Sequence, residues 1–269
     1  MNYLNILHII IIMFNFFIIL FVINISTLFI LHNKSHNLLK FNKHYLSSKE
    51  KETWKNYTIA FISNTIIGVL CTINIITRKQ EELNSITLFD KYMYIYCLSY
   101  FSYDTYYVNF KIKYKNAMEY NLHHILVLYA IGYTFIYNIY SGYVIWFLTT
   151  EISSIFLNIR WFLYKSNYKN NSIQSVGTSV MVILTYTIFR IMQLPYAEYQ
   201  FIKNYDNSIG SKYYFYRQVS LFIIIYLLNM FWYYNIINKF KKNIIEFILP
   251  KPYLIYNKFD DIAYEQNYS

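Results

Sequence analysis

The sequence predicts an all-α membrane protein, a bundle of about seven transmembrane helices, and two observations support this prediction. Of its 269 residues, 56% are hydrophobic and only 14% are charged, whereas a soluble domain has about 25% charged residues. Several windows of about 20 residues are almost free of charge, and a helix of that length crosses the roughly 30 Å of hydrocarbon in a bilayer.

Hydrophobic windows place the spans along the chain with boundaries good to about three residues. The first window, ILHIIIIMFNFFIILFVINISTLFI, is too long for a signal-peptide core and follows no basic leader, so we expect a retained helix. Only Ser141 and Gly142 separate the fourth span from the fifth, which predicts a tight antiparallel hairpin. We expect no separate soluble domain. The predicted spans are residues 4–31, 57–77, 92–108, 122–140, 143–164, 173–194 and 214–238.

Lysines and arginines in the predicted loops are unequally divided between the two sides of the membrane, sixteen against six. Because the richer side normally faces the cytosol, we expect a lumenal N-terminus and a cytosolic C-terminus. Lysines beside anionic headgroups explain the net charge of +10 without any nucleic-acid partner, for which there is no motif. The sixteen are Lys34, Lys40, Lys43, Lys49, Lys51, Lys55, Lys111, Lys113, Lys115, Lys165, Lys169, Lys239, Lys241, Lys242, Lys251 and Lys258.

The composition also limits which chemistries are expected. Cys71 and Cys97 are the two cysteines and both lie in predicted spans. Two cysteines are too few for a disulfide framework and lack the spacing of a thiolate zinc site. The excess of Ile, Asn, Lys, Tyr and Phe indicates biased codon usage, so single Tyr or Asn residues receive little weight.

Ionisable residues inside the predicted spans are few, and such residues are costly in hydrocarbon and usually functional. Asp104 lies near the cytosolic end of the third span, and His123 and His124 begin the fourth in NLHHILVLY. Glu151 comes about 9 residues after the turn, which places it about 10 Å deeper than the histidines. Depth therefore favours Asp104 over Glu151 as their orienting partner. We expect Arg190 near the lumenal end of the sixth span.

Helical periodicity predicts which of these side chains share a face. Ser154 and Asn158 fall within about 60° of Glu151, so the three form one polar stripe. Arg160 points to the opposite side and needs another partner. Adjacent histidines diverge by about 100°, so we do not expect them to bind one metal ion together.

Each polar residue also has a structural interpretation. The histidine pair can sit at the headgroup boundary, and Asp104 can pair with a loop lysine. Arg160 and Arg190 can extend their charged ends to the interface. Glu151 is hardest to explain in this way, because a carboxylate at mid-membrane must be protonated, paired or hydrated.

Four segments, YFSYDTYY, NLHHILVLY, TTEISSIFLNIRWFL and TIFRIMQLPY, occur in an order and at spacings that resemble the TLC domain family. The pattern is most similar to the branch of TLC domain-containing (TLCD) proteins that includes transmembrane protein 56-like members. The resemblance implies a TLC domain over residues 50–240, whose six helices form a barrel around a lipid-accessible cavity. Residues 1–49 would then be an external helix with a basic loop, and residues 241–269 a cytosolic tail. Residence in the endoplasmic reticulum is implied by the family alone.

A more distant similarity to the ceramide synthases implies an acyl-CoA-dependent N-acyltransferase. In that case His123, His124, Asp104 and Glu151 would be catalytic, with imidazole as nucleophile or base and carboxylates orienting it. The family's acidic stretch H-D-x-S-D reads TEISS here, so one acid is kept and one is lost. The segment WKNYTIAFISN also lacks the histidine that TLCD chains usually have.

Three functions remain open at this stage. The first is membrane lipid homeostasis, through binding, sensing or trafficking of lipid in a polar intramembrane cavity. The second is acyl transfer from acyl-CoA to a sphingoid base or another lipid, with Lys111, Lys113 and Lys115 near the CoA phosphates. The third, a transporter with Glu151 as proton carrier, is disfavoured because no inverted repeat is evident. The expected polar lining of the cavity is Ser154, Asn158, Arg160 and Arg190.

Overall fold

The computed structural model describes residues 3–35, 47–113, 117–169, 172–206, 208 and 210–248. Lys40, Lys43, Lys115, Lys251 and Lys258, counted above for topology, lie outside these ranges, as does most of the expected tail. The helices of the described residues are α1 (Tyr3–Lys34), α2 (Ser48–Thr77), α3 (Leu88–Tyr106), α4 (Ala117–Tyr137), α5 (Ser141–Leu148), α6 (Glu151–Lys165), α7 (Ile173–Tyr186), α8 (Gln193–Lys203) and α9 (Lys212–Ile248).

These helices combine into seven long helical segments in the described part of the chain. A π-helical stretch, Tyr107–Ile112, continues α3, and another, Thr187–Met192, joins α7 to α8. A two-residue turn joins α5 to α6. Each segment overlaps one predicted span, and the predicted all-α membrane bundle is confirmed. Some ends lie more than three residues beyond the predicted bounds: α2 begins at Ser48 instead of residue 57, and α8 ends at Lys203 instead of residue 194.

Five of the segments are long and apolar enough to cross a membrane by length and composition. They are Phe17–Lys34, Ser48–Thr77, Ser141–Lys165, Ile173–Lys203 and Lys212–Lys241. The other two, α3 and α4, are less apolar. Helix α3 contains Asp90 and Asp104, and α4 contains the histidine pair. Both are nevertheless packed among the apolar segments, as members of a multi-pass bundle.

Six segments form a closed ring, and α1 lies outside it. Around the ring, α2 packs against α3, α3 against α4, α4 against α9, α9 against α7, α7 against α6, and α6 against α2. Helix α1 packs against α2 and α3. Its buried His32 bridges the two, with Nδ1 2.6 Å from the Tyr103 hydroxyl and Nε2 3.0 Å from Glu52. The opposite face of α1 exposes apolar residues such as Ile19 and Ile23, as expected for contact with lipid.

The connection between α4 and α5 differs from the predicted turn at Ser141 and Gly142. Both of these residues already belong to α5, and the chain reverses at residues 138–140, where Asn138 and Tyr140 have φ values of 56° and 54°. Gly142 is required for packing, since an added Cβ would lie 2.6 Å from the Leu83 side chain. The turn therefore lies upstream of the predicted position. Gly142 instead packs against Leu83, which lies between α2 and α3.

At this end of the bundle an ion pair is buried between α2 and α3. Arg78 donates to Asp90 at 2.9 and 3.0 Å, and both side chains are almost fully buried. The Ser141 hydroxyl donates to the same carboxylate at 2.8 Å, and the Tyr94 hydroxyl bonds to Ser141 in turn. This network connects α3 to the start of α5, so three segments are joined through one carboxylate.

Helices α2 and α6 approach each other most closely at Gly68. A Cβ added there would lie 2.7 Å from the backbone nitrogen of Ile152 and 2.9 Å from its Cγ1. Close approach at small residues is a common means of packing helices in membranes. Because Ile152 follows Glu151, this contact also determines how deep the first turn of α6 lies.

We expect Gly68→Ala to lower the free energy of unfolding by about 1–3 kcal/mol, because the added methyl overlaps α6 backbone. Gly132→Ala is the matched control, since nothing lies within 4 Å of a Cβ built there. It should be neutral or stabilising by up to about 1 kcal/mol, from helix propensity. Thermal unfolding in detergent measures both, and equal effects at the two glycines would contradict the close approach.

We expect Arg78→Met to destabilise the protein by about 3–5 kcal/mol, because Asp90 would remain buried without its cation. Lys79→Met removes the same charge from the next, exposed position and should change stability by less than about 0.5 kcal/mol. Denaturation of the two variants in the same detergent tests this. Similar losses in both would show that the ion pair is unimportant to the fold.

Candidate functional site

A cavity inside the ring is lined by polar side chains at one place and apolar ones elsewhere. The polar contribution comes from His123, Thr150, Glu151 and Asn229, and apolar residues such as Val127, Ile131, Phe147 and Leu148 form the remainder. Its volume is about 30 Å³, enough for about one or two water molecules. An acyl chain can enter only if neighbouring side chains or helices move apart.

Glu151 lies at the centre of this polar region because the helix is interrupted just before it. Over residues 146–153 the backbone bonds run from i to i−3, as in Ile152 to Thr149 at 3.1 Å and Ser153 to Thr150 at 3.1 Å. Glu151 is therefore the first residue of α6, where a carboxylate is favoured by the helix dipole. Its Oε1 lies 3.5 Å from Arg190 Nη2 and 3.8 Å from His123 Nε2.

Arg190 makes the largest set of bonds in the site. Its Nε donates to Ser153 at 2.7 Å, its Nη2 to Ser154 at 2.9 Å, and its Nη1 to Asn229 at 3.0 Å. Arg190 lies in the π-helical turn between α7 and α8, and such turns often occur at functional sites. The structure thus places Arg190 inside the ring, 3% exposed. Its segment continues to Lys203, nine residues beyond the predicted end of the sixth span at residue 194.

The second histidine has its own carboxylate on the neighbouring helix. His124 Nε2 lies 3.7 Å from Asp104 Oδ2, and its Nδ1 shares a hydrogen bond with the Thr105 hydroxyl at 2.9 Å. Asp104 is fully buried, and it accepts from Asn56 at 2.8 Å and from the Tyr120 hydroxyl. Three helices, α2, α3 and α4, therefore hold this carboxylate against His124.

Depth along regular helices favoured Asp104 over Glu151 as the partner of the histidines, because it placed Glu151 about 10 Å deeper. The estimate treated residues 143–164 as one regular helix and compared backbone heights only. In the structure the side chains of Glu151 and His123 approach each other to 3.8 Å. The two histidines consequently have different partners, Glu151 for His123 and Asp104 for His124.

The other three residues of the predicted polar lining, Ser154, Asn158 and Arg160, lie in different surroundings. Ser154 joins the central network through Arg190. Asn158 is buried one turn further along α6, and its Nδ2 has no acceptor among the described residues. Arg160 lies elsewhere, since its Nε donates to Ser179 of α7 at 3.2 Å and its guanidinium lies 5.8 Å from the Phe240 ring.

Sequence reasoning missed several residues that complete the site. Asn229, in the apolar stretch LLNMFWYY, accepts from Arg190 and from the Tyr186 hydroxyl at 3.1 Å. Tyr120 and Asn56 hold Asp104. Biased composition had lowered the weight of single Asn and Tyr residues, although an asparagine in a long apolar run was a usable signal. Glu198 was also missed; it is buried, and its carboxylate has no donor among the described residues.

This arrangement can bind and orient a polar group and can also move protons. Each imidazole lies beside a carboxylate, which can select its tautomer and stabilise its charged form. His123 additionally faces the cavity, and its Nδ1 is buried with no hydrogen-bond partner among the described residues. A ligand that supplies a donor or acceptor there would complete its hydrogen bonding.

Residues 53–238 match the TLC domain. Over 156 residues the chain is 26% identical to TLC domain-containing protein 2 of Danio rerio, and this alignment covers 57% of the chain and 63% of that relative. Over 214 residues it is 26% identical to TLC domain-containing protein 4 A of Dictyostelium discoideum, with coverage of 76% and 80%. The chain thus spans less than two thirds of the zebrafish protein.

The TLC domain match includes well over half of the residues, and it contains both histidine–carboxylate pairs and Arg190. This multi-pass membrane protein belongs to the TLC domain family.

Proposed function

We propose that this protein contributes to membrane lipid homeostasis by binding a lipid in the cavity between α4, α6 and α9, and so sensing or moving it. The observation that supports this most is the unsatisfied Nδ1 of His123 at the polar end of an otherwise apolar cavity. A hydroxyl, amide or ester group of a lipid matches that position, and the apolar walls match its chain.

The polar groups around the cavity are held in place before any ligand binds. Arg190 is bonded to Ser153, Ser154 and Asn229, so its charge stays fixed beside Glu151. A preorganised polar site reduces the free-energy cost of ordering side chains when a ligand arrives. In the proposed topology the lysine-rich end of the bundle faces the cytosol, in the membrane of the endoplasmic reticulum, with the histidine pairs in the cytosolic half.

We expect protein purified in mild detergent to retain a lipid that His123→Ala and Glu151→Gln release. Loss of either group removes a polar contact of the cavity, which should weaken binding by about tenfold or more. Extraction of the bound lipid and its quantification by mass spectrometry measure this.

Glu198→Gln is the matched control, because it makes the same substitution at a buried carboxylate that does not line this cavity. It should retain the lipid of the parent. Equal retention by all three variants, or no lipid in the parent, would contradict binding in the cavity.

A second function, acyl transfer from acyl-CoA to a sphingoid base or other lipid, is favoured by the two histidine–carboxylate pairs. The His124–Asp104 pair has the form of an oriented general base, because Asp104 is itself held by Asn56 and Tyr120. Lys111 lies in the π-helical stretch that continues α3, Lys113 follows the end of that stretch, and both are suited to the CoA phosphates. Thr150 stands where the related synthases have a histidine, which disfavours this activity.

If the protein is an acyltransferase, labelled acyl-CoA should acylate a lipid acceptor in a panel of sphingoid bases and lysolipids. His124→Ala should lower the rate by about 100-fold or more through loss of the base. Tyr120→Phe should lower it less, because Asp104 keeps its bond to Asn56. Absence of turnover across the panel in folded protein that retains lipid would favour the binding function.

A further inference from the structure

Arg217 of α9 is a buried cation that the proposed function does not use. It is 8% exposed, and its guanidinium carbon lies 3.3 Å from the ring centroid of Tyr133 and 4.5 Å from that of Tyr214. Tyr129 lies 5.5 Å away. The aromatic rings of these tyrosines stabilise the cation by cation–π contact.

The edge of the Arg217 guanidinium, in contrast, has almost no acceptors. Nε and Nη1 are buried and have no hydrogen-bond partner among the described residues, and Nη2 has one long contact of 3.5 Å to Gln218. No described carboxylate forms an ion pair with it. Buried charges in proteins are normally paired, because desolvation of an uncompensated N–H donor or cation is expensive. The missing acceptor therefore has to come from outside the described residues.

The surroundings of Arg217 indicate where that acceptor comes from. Tyr129 and Tyr137, at successive turns of α4 on either side of Tyr133, are exposed, as tyrosines at the headgroup level of a membrane commonly are. The hydroxyls of Thr134 on α4 and Tyr214 on α9 are buried and lie next to each other. Five residues separate Arg217 from the start of α9, which is about 8 Å along the helix. This is a position near the membrane surface.

We propose that Arg217 binds the phosphate of a phospholipid headgroup in the groove between α4 and α9. A phosphate presents several acceptor oxygens to the planar edge of a guanidinium, and charge-assisted bonds of this kind are the strongest that arginine makes. The ring of Tyr133 holds the guanidinium in place, and because Nε and Nη1 are buried, a phosphate reaches them only when neighbouring side chains move apart. The tyrosine hydroxyl and the threonine hydroxyl supply further bonds to the same group.

This site is separate from the histidine cavity. Ile225 of α9, which lines that cavity, lies eight residues from Arg217, or about 12 Å along the helix. Arg217 also lies at the Arg78–Asp90 end of the bundle. A lipid held there would occupy the outer surface of the ring and stabilise the contact of α4 with α9.

The test is thermal unfolding of the full chain in detergent with added dioleoyl phosphatidylglycerol. Dioleoylglycerol, which has the same chains without phosphate, and inorganic phosphate are added separately. Arg217→Met removes the guanidinium and keeps much of its length. Lys212→Met is the matched control, because it removes a charge from an exposed position on the same helix.

We expect phosphatidylglycerol to raise the unfolding temperature of the parent and of Lys212→Met equally. For Arg217→Met the half-saturating lipid concentration should rise about tenfold or more. Without phospholipid, Arg217→Met should unfold at or above the temperature of the parent, because no described carboxylate is left unpaired. A purely structural arginine would give the reverse: lower stability without lipid and an unchanged response to it.

Other outcomes would overturn the proposal. An equal shift with dioleoylglycerol would show that only the chains bind, and an equal shift with inorganic phosphate would assign the site to a soluble anion. If Arg217→Met fails to fold, Arg217→Lys replaces it, since it keeps the charge over Tyr133 but loses the planar edge. It should weaken phosphatidylglycerol binding several-fold, and unchanged binding would overturn the site.

Discussion

Charges inside a membrane protein are costly unless they are paired, and Arg190 is paired with Glu151 at the centre of the ring. Arg190 comes from the π-helical turn between α7 and α8, whereas Glu151 begins α6 and Asn229 belongs to α9. One guanidinium therefore determines the relative positions of three helical segments. His123 of α4 reaches the same carboxylate, at 3.8 Å, so the candidate site is a consequence of the same electrostatic constraint that holds the bundle together.

Lipid chains are as apolar as leucine, so helix association in a membrane relies on close packing and polar bonds more than on the hydrophobic effect. This protein has both close helix packing and buried polar bonds. Gly68 allows α2 to approach α6 at backbone distance, and the buried Arg78–Asp90 pair joins α2 to α3 at the other end. These contacts lie outside the cavity. The ring can therefore keep its shape while side chains at the cavity move to admit a ligand.

The two histidines have different environments, and each environment suits a different role. His124 is enclosed, with Thr105 and Asp104 beside its two ring nitrogens, which suits a positioned base or a structural residue. His123 faces the cavity with an unsatisfied nitrogen, which suits contact with a ligand. In the proposed lipid-binding function His123 is the contacting residue. In the alternative acyl transfer the enclosed pair has the better geometry for accepting a proton.

Composition and local pattern were sufficient to determine the membrane class, the approximate positions of the helical segments and most of the ionisable residues within them, although buried Glu198 was missed. Order and spacing of four short segments were sufficient to indicate the family. The partners of those residues were decided only by tertiary structure, because they come from helices far apart in sequence: Asn56 with Asp104, Arg190 with Glu151, Asn229 with Arg190. Regular helical geometry also did not indicate the contact of Glu151 with His123, since it compares backbone positions and leaves out the reach of the side chains. A sequence gives residue order along each helix, but the relative depth of two helices depends on breaks, side-chain reach and packing contacts that only the folded structure contains.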